Sequence, residues 1–269
     1  MLKILLQRHV ESVFNQEASK SVEATGKVED RLRWAREEDM VDSNITELGH
    51  SQGQKAAEVI LDWPSIKFVF LSPLRRCVLT TELTLANYPG EIKRIKAEGL
   101  FRERLNASCD LPSKTIELRR DHQNIDFSFM DSYPFPEIWF LYTCPKRQEE
   151  LIFKHEKMAQ ESLNRDEIFK KTLSEVIDKI EQEPGTAFEN FKDLRARVGD
   201  ARKRLSQLLG ECEKELGRSL KDNEVLICAH SSFLYSFTST EFDSITGRGK
   251  NGFKMSNGEI REFTFVFEA

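Results

Sequence analysis

The stretch that decides the fold covers residues 2–15 and reads LKILLQRHVESVFN. Its first half is a short apolar run rich in Leu and Ile, which is typical of a buried β-strand. The run ends at Gln7, and Arg8 and His9 follow at once. Because ligands of open α/β sheets bind beyond the carboxyl ends of the strands, this pair predicts a fixed cation beside a nitrogen nucleophile. Taken alone, the pair is equally typical of a satisfied polar pair at a strand end.

A second apolar run, residues 66–71, is followed directly by Ser72-Pro73-Leu74-Arg75-Arg76. Serine as N-cap and proline at the first helical position predict a helix that starts at Ser72. Arg75 and Arg76 then lie in its first turn, where the helix dipole favours an anion rather than a cation. A bound phosphate would explain this placement, and an ion pair with a nearby carboxylate is the alternative.

A third apolar run, residues 224–229, is followed by His230. A less apolar strand over residues 91–97 leads to Glu103. Parallel strands would bring these ends to one rim of the sheet. The chemistry that such a rim suits is phosphoryl transfer, in which a neutral His9 attacks phosphorus. Arg8, Arg76 and a protonated His230 would neutralise the phosphoryl oxygens, while Glu103 donates a proton to the leaving alkoxide. This chemistry requires no metal and no cofactor.

The order of elements predicts an α/β protein. An amphipathic helix is expected to run to about Trp63, with Asn44 or Thr46 as its N-cap. Residues 106–222 lack the alternation of strands and helices, and they hold an aromatic set expected to form the core of an inserted cap. Within residues 106–222 we predict helices near 145–163, 166–183 and 187–216, the last two separated by Pro184-Gly185. A short helix is also predicted earlier in the chain, around Val28–Glu38. The segment 257–267 is predicted to be a turn followed by a half-buried strand.

Composition excludes several classes of protein. The chain has 269 residues, of which 39% are hydrophobic and 32% charged, as in ordinary soluble globular proteins. A net charge of −5 argues against general nucleic-acid binding, although it is compatible with local basic patches. No apolar run approaches the roughly 20 residues that span a bilayer. The five cysteines are odd in number and scattered, without metal-ligand spacing, so we expect free thiols and a cytoplasmic protein.

The motifs carry a family resemblance. Arg8-His9-x-Glu11-Ser12-x-x-Asn15 resembles the signature of the histidine phosphatase, or phosphoglycerate mutase-like, superfamily. Thr46-Glu47-Leu48-Gly49-His50-x-Gln52 resembles its second block, and Ser72-Pro73-Leu74-x-Arg76 its third. Three later segments, Cys109-Asp110, Asp126-Phe127-Ser128 and 257–261, further resemble a eukaryotic subgroup in which phosphatases are expected.

The resemblance implies a three-layer α/β/α sandwich with a mostly parallel central sheet and a helical cap insertion at about residues 106–222 of a single domain, 1–269. It also implies that His9 is the phosphorylated nucleophile, that Glu103 is the proton donor, and that Arg8, Arg76 and His230 hold the phosphoryl group. Asn15 would be an additional phosphate contact. Arg76 matches the family position better than Arg75 does.

Two positions depart from the family pattern. Val10 and Ser231 stand where glycine usually follows the first and the second histidine. Valine restricts the backbone and its approach to a ligand, so a narrowed pocket is expected at Val10. Serine is small and can donate to an oxyanion, so it should be tolerated.

The sequence therefore predicts a metal-independent phosphatase that acts on a small phosphorylated substrate through a phosphohistidine at His9. A mutase with the same site, and a weakened phospholigand-binding protein on the same fold, are the alternatives. Lys114, Arg119, Arg120 and His122 could meet a second anionic group of the substrate, or could simply form a solvated basic helix. No nucleic-acid or membrane partner is expected, and the sequence does not indicate an oligomeric state.

Overall fold

The computed structural model describes residues 1–27, 29–30, 34–35, 37–144, 149–161, 164–182 and 188–268. Five of the eleven residues in the helix predicted around Val28–Glu38 lie outside these ranges, and so does the break predicted at Pro184-Gly185. In the described residues, no helix combines the length and the apolar character that a membrane crossing requires.

A five-stranded sheet forms the centre of the molecule. Its strands are β1 (Leu2–Arg8), β2 (Phe68–Leu71), β3 (Arg94–Ala97), β4 (Val225–Ala229) and β5 (Ile260–Phe265). They are ordered β3-β2-β4-β1-β5, with β5 antiparallel to β1 and the other neighbours parallel. Mostly parallel pairing explains why β2 and β4 are buried at every residue, since both of their faces are covered.

Nine helices lie in the described residues and surround this sheet. They are α1 (Val13–Thr25), α2 (Glu47–Val59), α3 (Arg75–Leu85), α4 (Thr115–Asp121), α5 (Trp139–Tyr142), α6 (Glu149–Gln160), α7 (Arg165–Gln182), α8 (Phe191–Leu216) and α9 (Ser231–Thr238). The N-cap of α2 is Thr46, whose hydroxyl accepts a hydrogen bond from the Gly49 amide. Of the two predicted N-caps, Thr46 is therefore the correct one.

The alternating residues of β1 divide the core into two layers. Leu2, Ile4 and Leu6 pack with α8 and α9 on one face of the sheet. Leu5 packs on the other face, in a cluster with Ile60 beyond the end of α2. Successive side chains of a strand point to opposite faces, so one short segment contacts both helical layers. The structure is thus the predicted α/β/α sandwich.

The longest helix, α8, illustrates how the sequence specifies an element. Asn190 caps its start by accepting hydrogen bonds from two backbone amides, and Gly217 ends it in the left-handed conformation, at φ 66°. One face carries the buried residues at helical spacing: Leu194, Val198, Ala201, Leu205, Leu208, Leu209 and Cys212. This face places α8 against the sheet.

The segment between β3 and β4 packs onto the sheet through its aromatic residues. Phe127, Trp139 and Phe140 are buried in a cluster that also includes Leu71 and Cys228 of the central strands. The aromatic residues thus form a core, as the sequence predicted, but the sheet shares this core with the inserted segment.

Candidate active site

The strand register brings the functional side chains together. Gln7 and Leu71 both lie opposite Cys228 in the parallel sheet, so the chain leaves β1, β2 and β4 at neighbouring points of one rim. His9 donates its backbone N–H to Ala229 (3.0 Å), and Ser72 donates its own to Cys228 (3.0 Å). The residues that follow the three strands therefore share one site.

His9 is held in the tautomer that a nucleophile requires. Its ring is buried, and Nδ1 lies 2.6 Å from the carbonyl oxygen of Val10. A carbonyl oxygen can only accept a hydrogen bond, so Nδ1 carries the proton and Nε2 keeps its lone pair. Burial, with Arg76 and Arg8 nearby, lowers the pKa of His9 well below 6.5. The ring is therefore neutral and available for attack at neutral pH.

His230 lies beside His9, with 5.1 Å between the ring centroids. Arg76 Nε donates to its Nδ1 (3.2 Å), so the proton of the neutral ring is on Nε2, which donates to Ser72 Oγ (2.7 Å). Burial and the positive charge of Arg76 lower the pKa of His230 well below 6.5. The prediction that His230 is protonated is therefore wrong for this structure.

Ser72 is not the helix cap that the sequence predicted. Helix α3 begins at Arg75, after Leu74, and its first amide, that of Arg75, donates to Asp42 Oδ1 (2.7 Å) rather than to Ser72. The Ser72 hydroxyl instead accepts from His230 and, more weakly, from the Leu74 amide (3.4 Å). Ser72 is therefore a hydrogen-bond partner of His230, although its sequence context resembled that of a helix cap.

Arg76 is buried and turned into the site. Besides its bond to His230, it donates through Nη1 to the Cys109 carbonyl (2.5 Å) and through Nη2 to Asp110 Oδ1 (3.0 Å). The ion pair that the sequence left as an alternative is therefore present. Arg75 donates to Ser113 Oγ (3.3 Å) outside the cavity, in agreement with the preference for Arg76.

Asp110 lines the cavity and pairs with Arg76, and sequence reasoning did not assign it to the site. Both of its oxygens are used, because Oδ2 accepts from the amides of Asn106 (3.2 Å) and Ala107 (3.1 Å). Burial raises its pKa to about 6, although Arg76 opposes this shift. The only sequence signal was its membership of the Cys109-Asp110 pair, and nothing there indicated an ion pair with a residue of α3.

Arg8 and Asn15 also line the cavity. Arg8 donates through Nη1 to the Met255 carbonyl (2.8 Å), which anchors the guanidinium to the segment before β5. Asn15 Oδ1 accepts from the Ser12 amide (3.3 Å) and hydroxyl (3.1 Å) in the capping box of α1. Its carboxamide is therefore oriented by the start of a helix that follows β1 at once.

Glu103 lies in the same cavity and is held by backbone donors. Its carboxylate accepts from the amides of Ser232 (3.0 Å), Phe233 (3.1 Å) and Arg104 (2.8 Å). Two of these amides belong to the first turn of α9. The carboxylate thus has two functions in the structure, because it caps a helix and faces the cavity with His9.

Val10 does not narrow the pocket, contrary to the expectation from sequence. Its side chain is fully buried and is not among the described residues that form the cavity wall. A Cβ added at Gly49 would stand 3.3 Å from Val10 Cγ2, and one added at Gly258 would stand 3.6 Å from Cγ1. The isopropyl group therefore fills space that these two glycines leave behind the site.

The cavity encloses about 730 Å³, within the range of small-molecule sites. Its wall includes five of the six predicted site residues, and the sixth, His230, lies buried behind Arg76. Arg104, Asp110 and Arg248 also line the wall.

The basic residues predicted to meet a second anionic group lie elsewhere. Lys114 and Arg119 line a separate cleft, Arg120 contacts Asp121, and His122 contacts Glu82.

Comparison with known proteins gives the following matches. Residues 31–162 match the model of a family described as the histidine phosphatase superfamily (branch 1). No curated protein matches the chain significantly. Among solved structures, a mycobacterial glucosyl-3-phosphoglycerate phosphatase in complex with VO3 is 15% identical, with a TM-score of 0.48, and the alignment covers 98% of this chain and 91% of that chain. An ecdysone phosphate phosphatase from Bombix mori in complex with tungstate is 18% identical, with a TM-score of 0.45 and coverage of 97% and 88%.

The matched stretch contains Arg76 and Glu103, and the strand register described above places His9 and His230 around the same cavity. Residues 31–162, just under half of this 269-residue chain, are therefore similar to the histidine phosphatase superfamily (branch 1).

Proposed function

We propose that the protein is a metal-independent phosphatase that hydrolyses phosphomonoesters through a phosphohistidine at His9. The observation that carries this proposal is the hydrogen bond from His9 Nδ1 to the Val10 carbonyl, because it leaves the Nε2 lone pair for phosphorus. Arg8 and Arg76 lie in the same cavity and supply the positive charge that a phosphoryl group requires.

The reaction would proceed in two balanced steps. In the first, His9 Nε2 forms a bond to phosphorus as the ester P–O bond breaks, and Glu103 gives its proton to the leaving alkoxide. In the second, water attacks the phosphohistidine, Glu103 takes up a proton, and inorganic phosphate leaves. Arg8, Arg76 and Asn15 would bind the non-bridging oxygens in both steps.

His230 has a more indirect role in this proposal. Its Nδ1 accepts from Arg76 Nε, so the ring fixes the direction in which the guanidinium presents its other donors. Direct binding of a phosphoryl oxygen by His230 would require Nε2–H to leave Ser72 Oγ. We therefore assign His230 first to positioning Arg76, and second to the phosphoryl group itself.

The test compares the wild type with His9→Ala on a generic phosphomonoester and asks whether a labelled phosphoenzyme can be trapped. We expect acid-labile label on the wild type and a loss of hydrolysis by about 10³-fold or more in the variant, since the nucleophile is absent. His50→Ala is the matched control, because His50 is exposed on α2. Equal rates for His9→Ala and the wild type would refute the proposal.

A mutase would use the same site but return the phosphoryl group to the substrate before water reaches it. Release of inorganic phosphate and isomer transfer should therefore be measured together, with phosphoglycerates as substrates. We expect phosphate release to dominate, and dominant isomer transfer would replace the phosphatase by a mutase.

A further inference from the structure

Two arginines in the cavity wall have no role in the reaction proposed above. Arg104 and Arg248 both lie over the ring of Phe191, with their guanidinium carbons 4.4 and 5.3 Å from its centroid. Both line the cavity that contains His9. They come from distant parts of the chain, the loop after β3 and the segment between α9 and β5, so the fold rather than local sequence brings them together.

The electrostatics of this pair differ from those of the other arginines near the site. Arg76 is paired with Asp110, and the buried Arg102 and Arg197 share Glu189. Among the described residues, neither Arg104 nor Arg248 forms an ion pair with a carboxylate. Arg104 donates through Nη1 to the Glu189 carbonyl (3.2 Å), but its Nε is buried without a hydrogen-bond partner. A buried donor without a partner is costly, so the fold holds this guanidinium in place at a cost in free energy.

The two guanidiniums also repel each other. Burial lowers the pKa of Arg104, and the positive charge of Arg248 lowers it further. The negative charges of Glu103 and Asp110 act in the opposite direction without cancelling this shift. Those two carboxylates already accept hydrogen bonds from backbone amides, and Glu29 is the one other acidic residue in the described wall. An anion between two arginines would relieve the repulsion and form charge-assisted hydrogen bonds.

We propose that Arg104 and Arg248 form a second anion subsite in the His9 cavity. The substrate class is therefore a small phosphomonoester that carries a further carboxylate or phosphoryl group. The substrate class rests on the proposed function, because it assumes that the cavity hydrolyses phosphomonoesters. Binding of an anion by Arg104 and Arg248 does not depend on that reaction. The ring of Phe191 keeps the two guanidinium groups in the cavity wall by cation–π contact.

Binding of inert phosphonates tests the subsite without any turnover. Butylphosphonate and 4-phosphonobutanoate present the same phosphonate to the site, and only the second carries a carboxylate. Isothermal calorimetry should show that wild-type protein binds 4-phosphonobutanoate about 10- to 100-fold more tightly, as expected for a charge-assisted contact. In Arg248→Gln, this affinity ratio should fall at least about fivefold.

Arg195→Gln is the matched control for this experiment. Arg195 is exposed on α8 and lies over the ring of Phe242, 4.6 Å from its centroid, outside the His9 cavity. Its loss removes the same charge and the same kind of ring contact, and the affinity ratio should stay at the wild-type value. A wild-type ratio near one, or an equal fall in both variants, would overturn the subsite.

Hydrolysis provides a second measurement and identifies the anion. Propyl phosphate, 3-phosphooxypropanoate and propane-1,3-diyl bisphosphate would be compared by kcat/KM in the wild type and in Arg248→Gln. The variant should lose the preference for whichever anionic substrate the wild type prefers. If no substrate is hydrolysed in a His9-dependent way while the phosphonates are still discriminated, the proposed function fails and the subsite stands.

Discussion

Val10 shows how one residue can depart from a family pattern without obstructing a site. Glycine is expected after the first histidine because the backbone passes close to the ligand. Here the backbone of Val10 keeps its contacts, since its N–H donates to Thr80 Oγ1 (3.0 Å) and its carbonyl holds His9. The side chain turns away from the cavity toward Gly49 and Gly258. The substitution therefore belongs to the packing behind the site.

Val10→Gly should consequently reduce stability and leave catalysis nearly unchanged. Removing a buried isopropyl group and adding backbone freedom should lower the free energy of unfolding by about 1–3 kcal/mol. The kcat/KM for a phosphomonoester should change by less than about threefold, because the side chain does not touch the cavity. Urea unfolding and steady-state kinetics check the two parts. A large gain in kcat/KM would mean that Val10 obstructs the ligand.

The low pKa of His9 predicts activity in acid. An ordinary histidine with a pKa near 6.5 is about tenfold more protonated than neutral at pH 5.5 and cannot attack phosphorus. Burial and two arginines lower the pKa of His9 well below this value, so the neutral ring persists. Rapid-quench measurement of phosphoenzyme formation should give similar rates at pH 5.5 and 7.5. A fall that follows a pKa of 6.5 would contradict this environment.

Asp110 should make stability depend on pH with the opposite sign to most carboxylates. Its pKa is raised from 3.8 to about 6, so the folded protein binds this proton more tightly than the unfolded chain does. Relative to Asp110→Asn, the wild type should gain stability as the pH falls from 6 to 4, by up to about 3 kcal/mol. Urea unfolding of both proteins across this range measures the difference. A difference that does not vary with pH would show that Asp110 titrates normally.

At the scale of elements, a buried ionic network connects the loop after β3 to α8. Glu189 accepts from Arg102 Nη1 (2.7 Å) and Arg197 Nε (2.7 Å), and all three side chains are buried. The same arginines donate to the carbonyls of residues 100, 102 and 103. Glu189 also accepts from the Leu105 amide (3.0 Å). The network therefore fixes the backbone that carries Glu103.

Glu189→Gln should impair the step that needs a proton donor. The substitution leaves two buried guanidiniums without their anion, so it should cost about 3–5 kcal/mol of stability and loosen the Glu103 loop. Hydrolysis of an alkyl phosphate, whose leaving group needs a proton, should fall at least about tenfold more than that of p-nitrophenyl phosphate. The comparison is made by kcat at a temperature where the variant remains folded.

Glu224→Gln provides the control for that experiment. Glu224 is also buried and also pairs with an arginine, Arg218, but it lies at the start of β4, at the opposite end of that strand from His230. Its loss should lower stability without changing the ratio of the two substrates. Equal effects of the two variants on that ratio would show that Glu189 acts only through general stability.

The elements that sequence reasoning could identify were those with local signals. Three apolar runs, each followed by a charged or polar residue, placed His9, Arg76 and His230 at one rim because parallel strands share their direction. Ser72 was misassigned because the motif of a helix cap is local, whereas its actual partner is 158 positions away. Asp110 and Arg248 were missed for the same reason, since only the folded chain shows what they contact.

At the scale of the molecule, the sheet and the inserted segment share their cores. One cluster joins residues from Leu2 to Phe265, and another joins Leu71 and Cys228 of the sheet to Trp139 of the insertion. The sheet therefore buries apolar side chains of the insertion, and the insertion buries apolar side chains of the sheet. We therefore propose that residues 1–269 unfold as a single cooperative domain.

Urea unfolding followed by two probes tests this cooperativity. Tryptophan fluorescence includes Trp139, which is fully buried in the shared cluster, whereas far-UV circular dichroism reports on all helices. The two transitions should coincide, because loosening the insertion would expose the sheet. Trp139→Phe removes the fluorescent probe from the insertion. In this variant, the midpoint from the remaining tryptophans should equal the midpoint from circular dichroism of the same variant. Separate midpoints in the wild type would mean that the insertion unfolds alone.

The position of β1 between β4 and β5 has a consequence for synthesis on the ribosome. Of the five strands, β1, which leads to His9, leaves the exit tunnel before the others, but both of its neighbours are translated more than 200 residues later. Until then this apolar segment has no edge to pair with, and the nascent polypeptide must keep it from aggregating. Translation therefore has to proceed beyond His230 before the two histidines can meet.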